Sequence, residues 1–283
     1  MLGAVGDLVE DVVVRLLEPI HVASDTKVRV VRRRGGSAAN VVAGACRMGG
    51  AARFVGQVGD DAAASSLVGL LRDEGADVVV RRAGRTGAIV VLVDQTGERT
   101  MLSDRGACTE LADPDPEWLD GLHTLHLPLY SLVGEPLAST ATTLAEWAHD
   151  RGITVSVDTS SASLIEHLGV GATLDRIRSL RPTVVLANEM EASLFDGALV
   201  PDRTGSRCVV VKHGGSPAIV LERDAEPVVV PALALDEVRD TTGAGDAFAA
   251  GFLLAYARGA DAVESTREGH RSSNDALRRL STD

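Results

Sequence analysis

Short runs of Val, Ile and Leu recur along this chain, separated by Ala-rich stretches of helical length. The runs Ala4–Val9, Arg53–Val58, Thr124–Leu129, Ile153–Asp158, Thr183–Asn188 and Cys208–His213 are apolar nearly throughout rather than alternating. Strands that read this way are buried on both faces, as in parallel sheets. Helix patterns fall between them at Asp61–Glu74, Glu135–Arg151 and Leu174–Leu180, with Asp60 and Asp61 as an N-cap signal and Gly75 as a stop. The pattern predicts an α/β fold, a mostly parallel sheet flanked by helices. Two stretches, roughly 12–34 and 87–102, are β-rich without an intervening helix, and the second reads as a hairpin turning at Gln95-Thr96-Gly97. Such an appendage is either a small β lid over a site or an ordinary edge hairpin. With no internal repeat or long linker, residues 1–283 read as one domain with these segments inserted.

Composition narrows the function. Of 283 residues 45% are hydrophobic, enough to fill a core, and no apolar run reaches the roughly 18 residues of a membrane span. Carboxylates at Asp7, Glu10 and Asp11 do not fit a signal peptide, so a cytoplasmic protein without membrane attachment is expected. A formal net charge of −12 and 3% aromatics argue against nucleic-acid binding. Cys46, Cys108 and Cys208 form no C-x-x-C pair and read as small buried residues. His123 and His126, three apart in a strand, face opposite ways and do not share a metal.

The chemistry concentrates in Val238-Arg239-Asp240-Thr241-Thr242-Gly243-Ala244-Gly245-Asp246-Ala247-Phe248, placed between an apolar run, Val228–Leu235, and a helix pattern, Ala247–Tyr256. Glycines opening a helix let backbone N–H groups converge at its positive end, which makes an anion site without a lysine. Asp246 in the first turn is then either a helix cap or a general base beside a transferring phosphoryl group. The segment resembles the second signature of the ribokinase-like PfkB carbohydrate kinases. Their first signature is similar to Gly35-Gly36-Ser37-Ala38-Ala39-Asn40, followed by Gly49-Gly50 and Phe54-Val55-Gly56-Gln57-Val58-Gly59-Asp60-Asp61. Two long motifs in order are far more specific than one Gly-rich loop.

The resemblance implies a role for each matching residue. Asp246 is the catalytic base, with Gly243, Ala244 and Gly245 completing the anion hole. Asp11, with Asp7 as fallback, binds acceptor hydroxyls, Gly35 and Gly36 let the backbone approach the acceptor, and Asn40 contacts it through its amide. Asn188 and Glu191, in Asn-x-x-Glu, help hold Mg2+ through water. Lys212, Gly214, Thr241 and His270 border the nucleotide, with Lys212 either neutralising phosphate or lying on the surface. A monovalent cation near Asp240 and Thr242 and a homodimer through the lid are further implications. The polar segment 261–283, with a thin apolar stripe of Ala262, Ala276, Leu277 and Leu280, departs from the family's usual Ala-rich helix.

The expectation is therefore ATP-dependent phosphorylation of a hydroxyl on a small sugar or sugar acid. No Gly-Lys-Ser/Thr loop, protein-kinase catalytic loop or G-x-G-x-x-G after the first strand competes with it. A nucleoside kinase, or a silent sugar- or nucleotide-binding regulator, are the alternatives. Arg32, Arg33, Arg34, Arg99 and Arg105 could serve an acceptor that already bears phosphate, but solvated arginines are commoner, and an unphosphorylated acceptor is preferred.

Overall fold

The computed structural model describes residues 1–235 and 241–282. In chain order these form β1 (Leu2–Val5), β2 (Val9–Leu16), β3 (Val28–Gly35), α1 (Ser37–Arg47), β4 (Ala52–Val58), α2 (Ala62–Asp73), β5 (Asp77–Arg82), β6 (Thr86–Val93) and β7 (Arg99–Gly106). There follow β8 (Thr124–Pro128), α3 (Leu137–Asp150), β9 (Thr154–Asp158), α4 (Ala162–Leu168), α5 (Val170–Ser179), β10 (Val184–Asn188) and α6 (Glu189–Leu194). The last elements are α7 (Pro201–Thr204), β11 (Cys208–His213), β12 (Ser216–Glu222), β13 (Val228–Val230), α8 (Ala244–Ala257) and α9 (Ala262–Thr282).

Nine strands form the larger sheet in the order β13-β12-β11-β10-β9-β8-β1-β4-β5, parallel except for β12 and β13 at one edge. Both faces are apolar, as the continuous runs require. Leu186 and Val210 face a cluster with α1, α2 and α8, whereas Val185, Val209 and Val211 face one with α3, α4 and α5. The expected strand Ala4–Val9 is in fact two. It breaks at Gly6-Asp7, where the chain leaves the large sheet and Val9 begins the small one.

The small sheet runs β3-β2-β6-β7, with β2 parallel to β6 and antiparallel pairs outside. It begins at Val9 and ends at Gly106, wider than the predicted segments. Because side chains alternate along strands, register divides it cleanly. Asp11, Arg33, Ile89 and Ser103 share one row and one face, and Val13, Val31, Val91 and Met101 the next row on that face. The other face carries Val12, Val14, Val30, Leu92 and Leu102, with Val30 50% and Leu102 54% exposed.

Segment 262–282 is one long helix packed on α8, so the expected thin stripe is corrected. Its buried side is Ala262, Ser265, Thr266, Gly269, His270 and Ser272, a helical repeat of small and polar residues that a hydropathy reading passes over. Small residues let the axes approach. A Cβ on Gly251 of α8 would meet Ser272 Cβ at 2.6 Å and the Glu268 carbonyl oxygen at 2.7 Å, and one on Gly44 of α1 would meet Ala250 Cβ at 3.1 Å. No helix among the described residues is long and apolar enough to cross a membrane. Gly251→Val is expected to destabilise the protein by about 1–3 kcal/mol through overpacking against helix backbone, read as a lower urea midpoint at unchanged slope.

Candidate active site

Parallel α/β sheets gather function at the carboxyl ends of their strands. Here Asp7 follows β1, Asp158 ends β9, Asn188 ends β10, and Lys212 lies in the last turn of β11. The amino end of α8 meets them. Its N-cap, Gly243, has φ +74°, a left-handed conformation that costs glycine nothing. The first rung of the helix runs from Ala247 N to the Gly243 carbonyl at 2.9 Å, so the Gly245 and Asp246 amides lie ahead of the helical ladder. Ala244, expected among the anion donors, gives its amide to the Thr241 carbonyl at 3.2 Å.

Asp246 is held at both oxygens. Ser37 Oγ donates to Oδ1 at 2.7 Å and Asn40 Nδ2 donates to Oδ2 at 2.9 Å, tying α8 to the first turns of α1. Burial, aided by the nearby Asp158 charge, pushes its pKa up to about 6 against these two hydrogen bonds and Lys212. The Asn40 amide accepts at Oδ1 from Arg34 Nη1 at 3.0 Å, which leaves it a second N–H. Asn40, expected to contact the acceptor, also positions Asp246.

Lys212 is not a surface residue. Its Nζ donates to Asp158 Oδ2 at 2.8 Å and sits 6.0 Å from the Phe248 ring centre. Burial opposes the ammonium, but Asp158 and Glu191 outweigh it and raise its pKa; Asp158 is held low, its own burial overcome chiefly by Lys212. Glu191 is 3% exposed and its Oε2 accepts from Thr159 Oγ1 and from Asn188 N, both at 2.9 Å. Asn188 Oδ1 accepts in return from Glu191 N, completing a capping box on α6. Burial and then Asp158 push Glu191 up.

Among the described residues no cluster of three or more His, Cys, Asp or Glu is arranged to ligate a metal directly. Yet Asp158, Glu191 and Asp246 all act electrostatically with the single ammonium of Lys212. That surplus of negative charge fits a magnesium ion arriving with polyphosphate and keeping its own waters.

Asp11 faces a cavity of about 260 Å3 between the small sheet and α1, lined also by Gly36, Ser37, Arg105 and Thr242. Gly35 seats its carboxylate, since a Cβ there would lie 2.1 Å from Asp11 Oδ1. Gly36 has φ +100° and packs on the Asp7 carbonyl. Burial pushes Asp11 up to about 6 despite Arg34 and Arg33. Asp7 is instead clamped by Arg105, Nε to Oδ2 at 2.7 Å and Nη2 to Oδ1 at 2.8 Å. A second cavity, about 470 Å3, shares Asp11, Arg33 and Thr242 and extends past Arg34, Arg47 and Ser272.

His270, on the side of α9 that packs against α8, is edge-on to Phe248 at 5.3 Å, its pKa lowered by burial, and its Nε2 has no hydrogen-bond partner among the described residues. The ring is packed inside rather than laid along an open groove. Gly214 turns β11 into β12, Thr241 is exposed, and Asp240 falls outside the described residues. The sequence pattern assigns no role to Ser37, Asp158 or Thr159, and does not foresee the bond from Arg34 to Asn40 or the one from Arg99 Nη1 to Thr242 Oγ1 at 2.6 Å. Only Asp158 left a signal, a carboxylate at a parallel strand's carboxyl end.

With the geometry in place, comparisons identify the chain. The family model described as pfkB family carbohydrate kinase matches residues 3–282. An ATP-dependent ribose-1-phosphate kinase of Halopiger xanaduensis is 32% identical over 93% of this chain and 96% of its own. A fructokinase of Escherichia coli is 31% identical over 77% and 75%. Among solved structures, the adenosine kinase of Sinorhizobium meliloti superposes with a TM-score of 0.84 at 25% identity, covering 98% of this chain and 93% of that one. The chain belongs to the pfkB family of carbohydrate kinases, and as such it is an ATP-dependent phosphotransferase.

Replacing Lys212 with Met strands Asp158 as an unpaired buried charge. Lys212→Met is expected to cost about 3–5 kcal/mol in chemical denaturation, and adding Asp158→Asn should recover part of it.

Proposed function

We propose that this protein transfers the γ-phosphoryl group of ATP to a hydroxyl of a small sugar bound between Asp11 and Asp246. The relatives' names span ribose 1-phosphate, fructose and adenosine, which share a sugar hydroxyl. The observation that carries the reading is Asp246, fixed by Ser37 and Asn40 in the first turn of α8, with a pKa near 6. At neutral pH it is ionised yet basic enough to receive a proton as the hydroxyl oxygen attacks the γ-phosphorus. The bond from phosphorus to the departing ADP oxygen breaks in the same displacement, and no phosphoenzyme is needed. The Gly245 and Asp246 amides meet the charge on the transferring group.

Asn188 and Glu191 border the metal side through water, and magnesium, when bound, neutralises charge on the phosphates. Asp158 and Lys212 hold that side rigid. A monovalent cation beside Thr242 and a nucleotide bordered by Gly214 and Thr241 complete the proposal. The small sheet acts as lid, since Arg99 reaches from it to Thr242 in the anion loop. A nucleoside is the less favoured acceptor. Among the described residues Tyr130 is the only aromatic ring on the smaller cavity, and it already stacks under Arg105 at 5.5 Å.

Asp246→Asn should lower kcat about 10²- to 10⁴-fold with ligand binding retained, measured by ADP release from Mg-ATP across a sugar panel. A variant that turns over normally removes Asp246 as the base. For the wild type, kcat/KM should rise with pH through about 6 and level off above 7. Both Asp246 and Asp11 must lose protons there, so the acid limb should approach a slope of two.

Dimerisation through the apolar outer face of the lid is also proposed. Light scattering at micromolar concentration should give twice the 29.5 kDa chain mass. Val30→Glu, on that half-exposed face, should give the single mass.

A further inference from the structure

Arg32, Arg33 and Arg34 lead into the glycine pair, and β3 gives each of them different surroundings. Arg32 is exposed and pairs with Glu10 at 2.8 Å. Arg33 stands in register with Asp11 on the inner face of the small sheet. Arg34 has a side chain only 8% exposed, and its register partner Glu10 is already bonded to Arg32. An arginine is seldom buried this far without strong pairing. Its ion pair with Glu74, at the end of α2, is long at 3.7 Å, and the same carboxylate oxygen accepts from Arg47 at 2.6 Å. The shorter contact is with an amide: Arg34 Nη1 donates to Asn40 Oδ1 at 3.0 Å.

That contact decides which way the amide faces. A guanidinium has N–H donors and no acceptor, so it takes the oxygen of Asn40 and turns Nδ2 towards α8. There Nδ2 donates to Asp246 Oδ2 at 2.9 Å, beside the bond from Ser37 Oγ to Oδ1 at 2.7 Å. With the amide reversed, N–H would face guanidinium and a carbonyl oxygen would face carboxylate. Both contacts would repel, and Asp246 would keep only the Ser37 donor. The guanidinium also acts beyond this contact. Burial works against its charge, which Glu74, Asp246 and Asp11 support and Arg47 opposes. Arg34 is thus a cation felt by both carboxylates that must be ionised for transfer. Arg33 adds to it at Asp11, and the further charges acting on Asp246 are Asp158 and Lys212.

We infer that Arg34 is a positioning residue for phosphoryl transfer, which fixes the Asn40 amide and through it holds Asp246 against the acceptor hydroxyl. The inference rests on the reading of Asp246 as base and adds to it a residue that acts through another. It also gives the buried guanidinium a reason. A neutral side chain in the same space would pack as well, but an amide is turned one way only by a neighbour that donates and never accepts.

The test follows ADP release from Mg-ATP with ribose 1-phosphate, fructose and adenosine as acceptors, at about pH 8.5, where Asp246 and Asp11 are both ionised. Arg34→Met should lower kcat about 10- to 10²-fold with KM for ATP little changed. Asn40→Ala should do the same, and adding Arg34→Met to it should cost no more than about twofold further. A strut that only stabilised the fold would give losses that multiply. In a second arm, carboxyl ¹³C titration of the ligand-free protein should give midpoints of about 6 for Asp246 and Asp11. Arg34→Met should raise both by about 1 unit, and Arg34→Lys, which keeps the charge, should restore them. Arg34→Gln repeats both arms should Arg34→Met misfold, because an amide offers oxygen as readily as N–H and no longer dictates how Asn40 turns. The inference is overturned if Arg34→Met keeps the wild-type kcat, or if its loss is undiminished beside Asn40→Ala. Impairment by Asp246→Asn alongside a normal Arg34→Met sinks this inference alone, whereas normal turnover by Asp246→Asn sinks the reading of the base and this inference with it. Should the wild type turn over none of the acceptors, raised midpoints sustain the inference and unmoved ones overturn it.

Discussion

Everything at the reacting centre depends on two hydrogen bonds across a helix interface, from Ser37 and Asn40 on α1 to the two oxygens of Asp246 on α8. Close packing of α1 on α8 supports them, with Gly44 against Ala250, and Gly251 lets α9 pack closely on the other side of α8. Larger side chains at these contacts would push the axes apart, and bonds of 2.7 and 2.9 Å have no slack for that. The half-buried aspartate is therefore a product of helix packing as much as of its own loop. Its raised pKa is the electrostatic counterpart, a charge kept out of water and only partly repaid by donors.

Charge is sorted across the site. On the side of β9, β10 and β11, carboxylates outnumber cations around Lys212, which suits a ligand that arrives with its own metal. On the lid side, Arg105 is paired with Asp7 and Arg33 lies beside Asp11.

Much of this was legible beforehand. The central strands, the lid hairpin and the two glycine-bearing motifs follow from local pattern, because a fully buried strand or a helix-opening loop leaves its mark in consecutive residues. Residues that act across the fold left less trace. The bonds that join Asn40 to Arg34 and to Asp246 leave no mark in the local pattern, because Asp246 lies far along the chain. Lys212 could not be told from a surface residue without Asp158, which lies 54 positions away. The buried side of α9 was missed for a different reason. Ser265, Thr266, Gly269 and Ser272 are buried because they are small, and hydropathy does not measure size.

The parallel seam between β2 and β6 has a consequence for how the molecule assembles. It joins Asp11 to Ile89 and Val13 to Val91, residues nearly eighty positions apart, whereas each outer pair is a local hairpin. Loop closure over that separation is slow. The inner face that holds Asp11 is therefore completed only where the intervening β4-α2-β5 unit brings the two hairpins together, so its integrity depends on the docking of residues outside the small sheet.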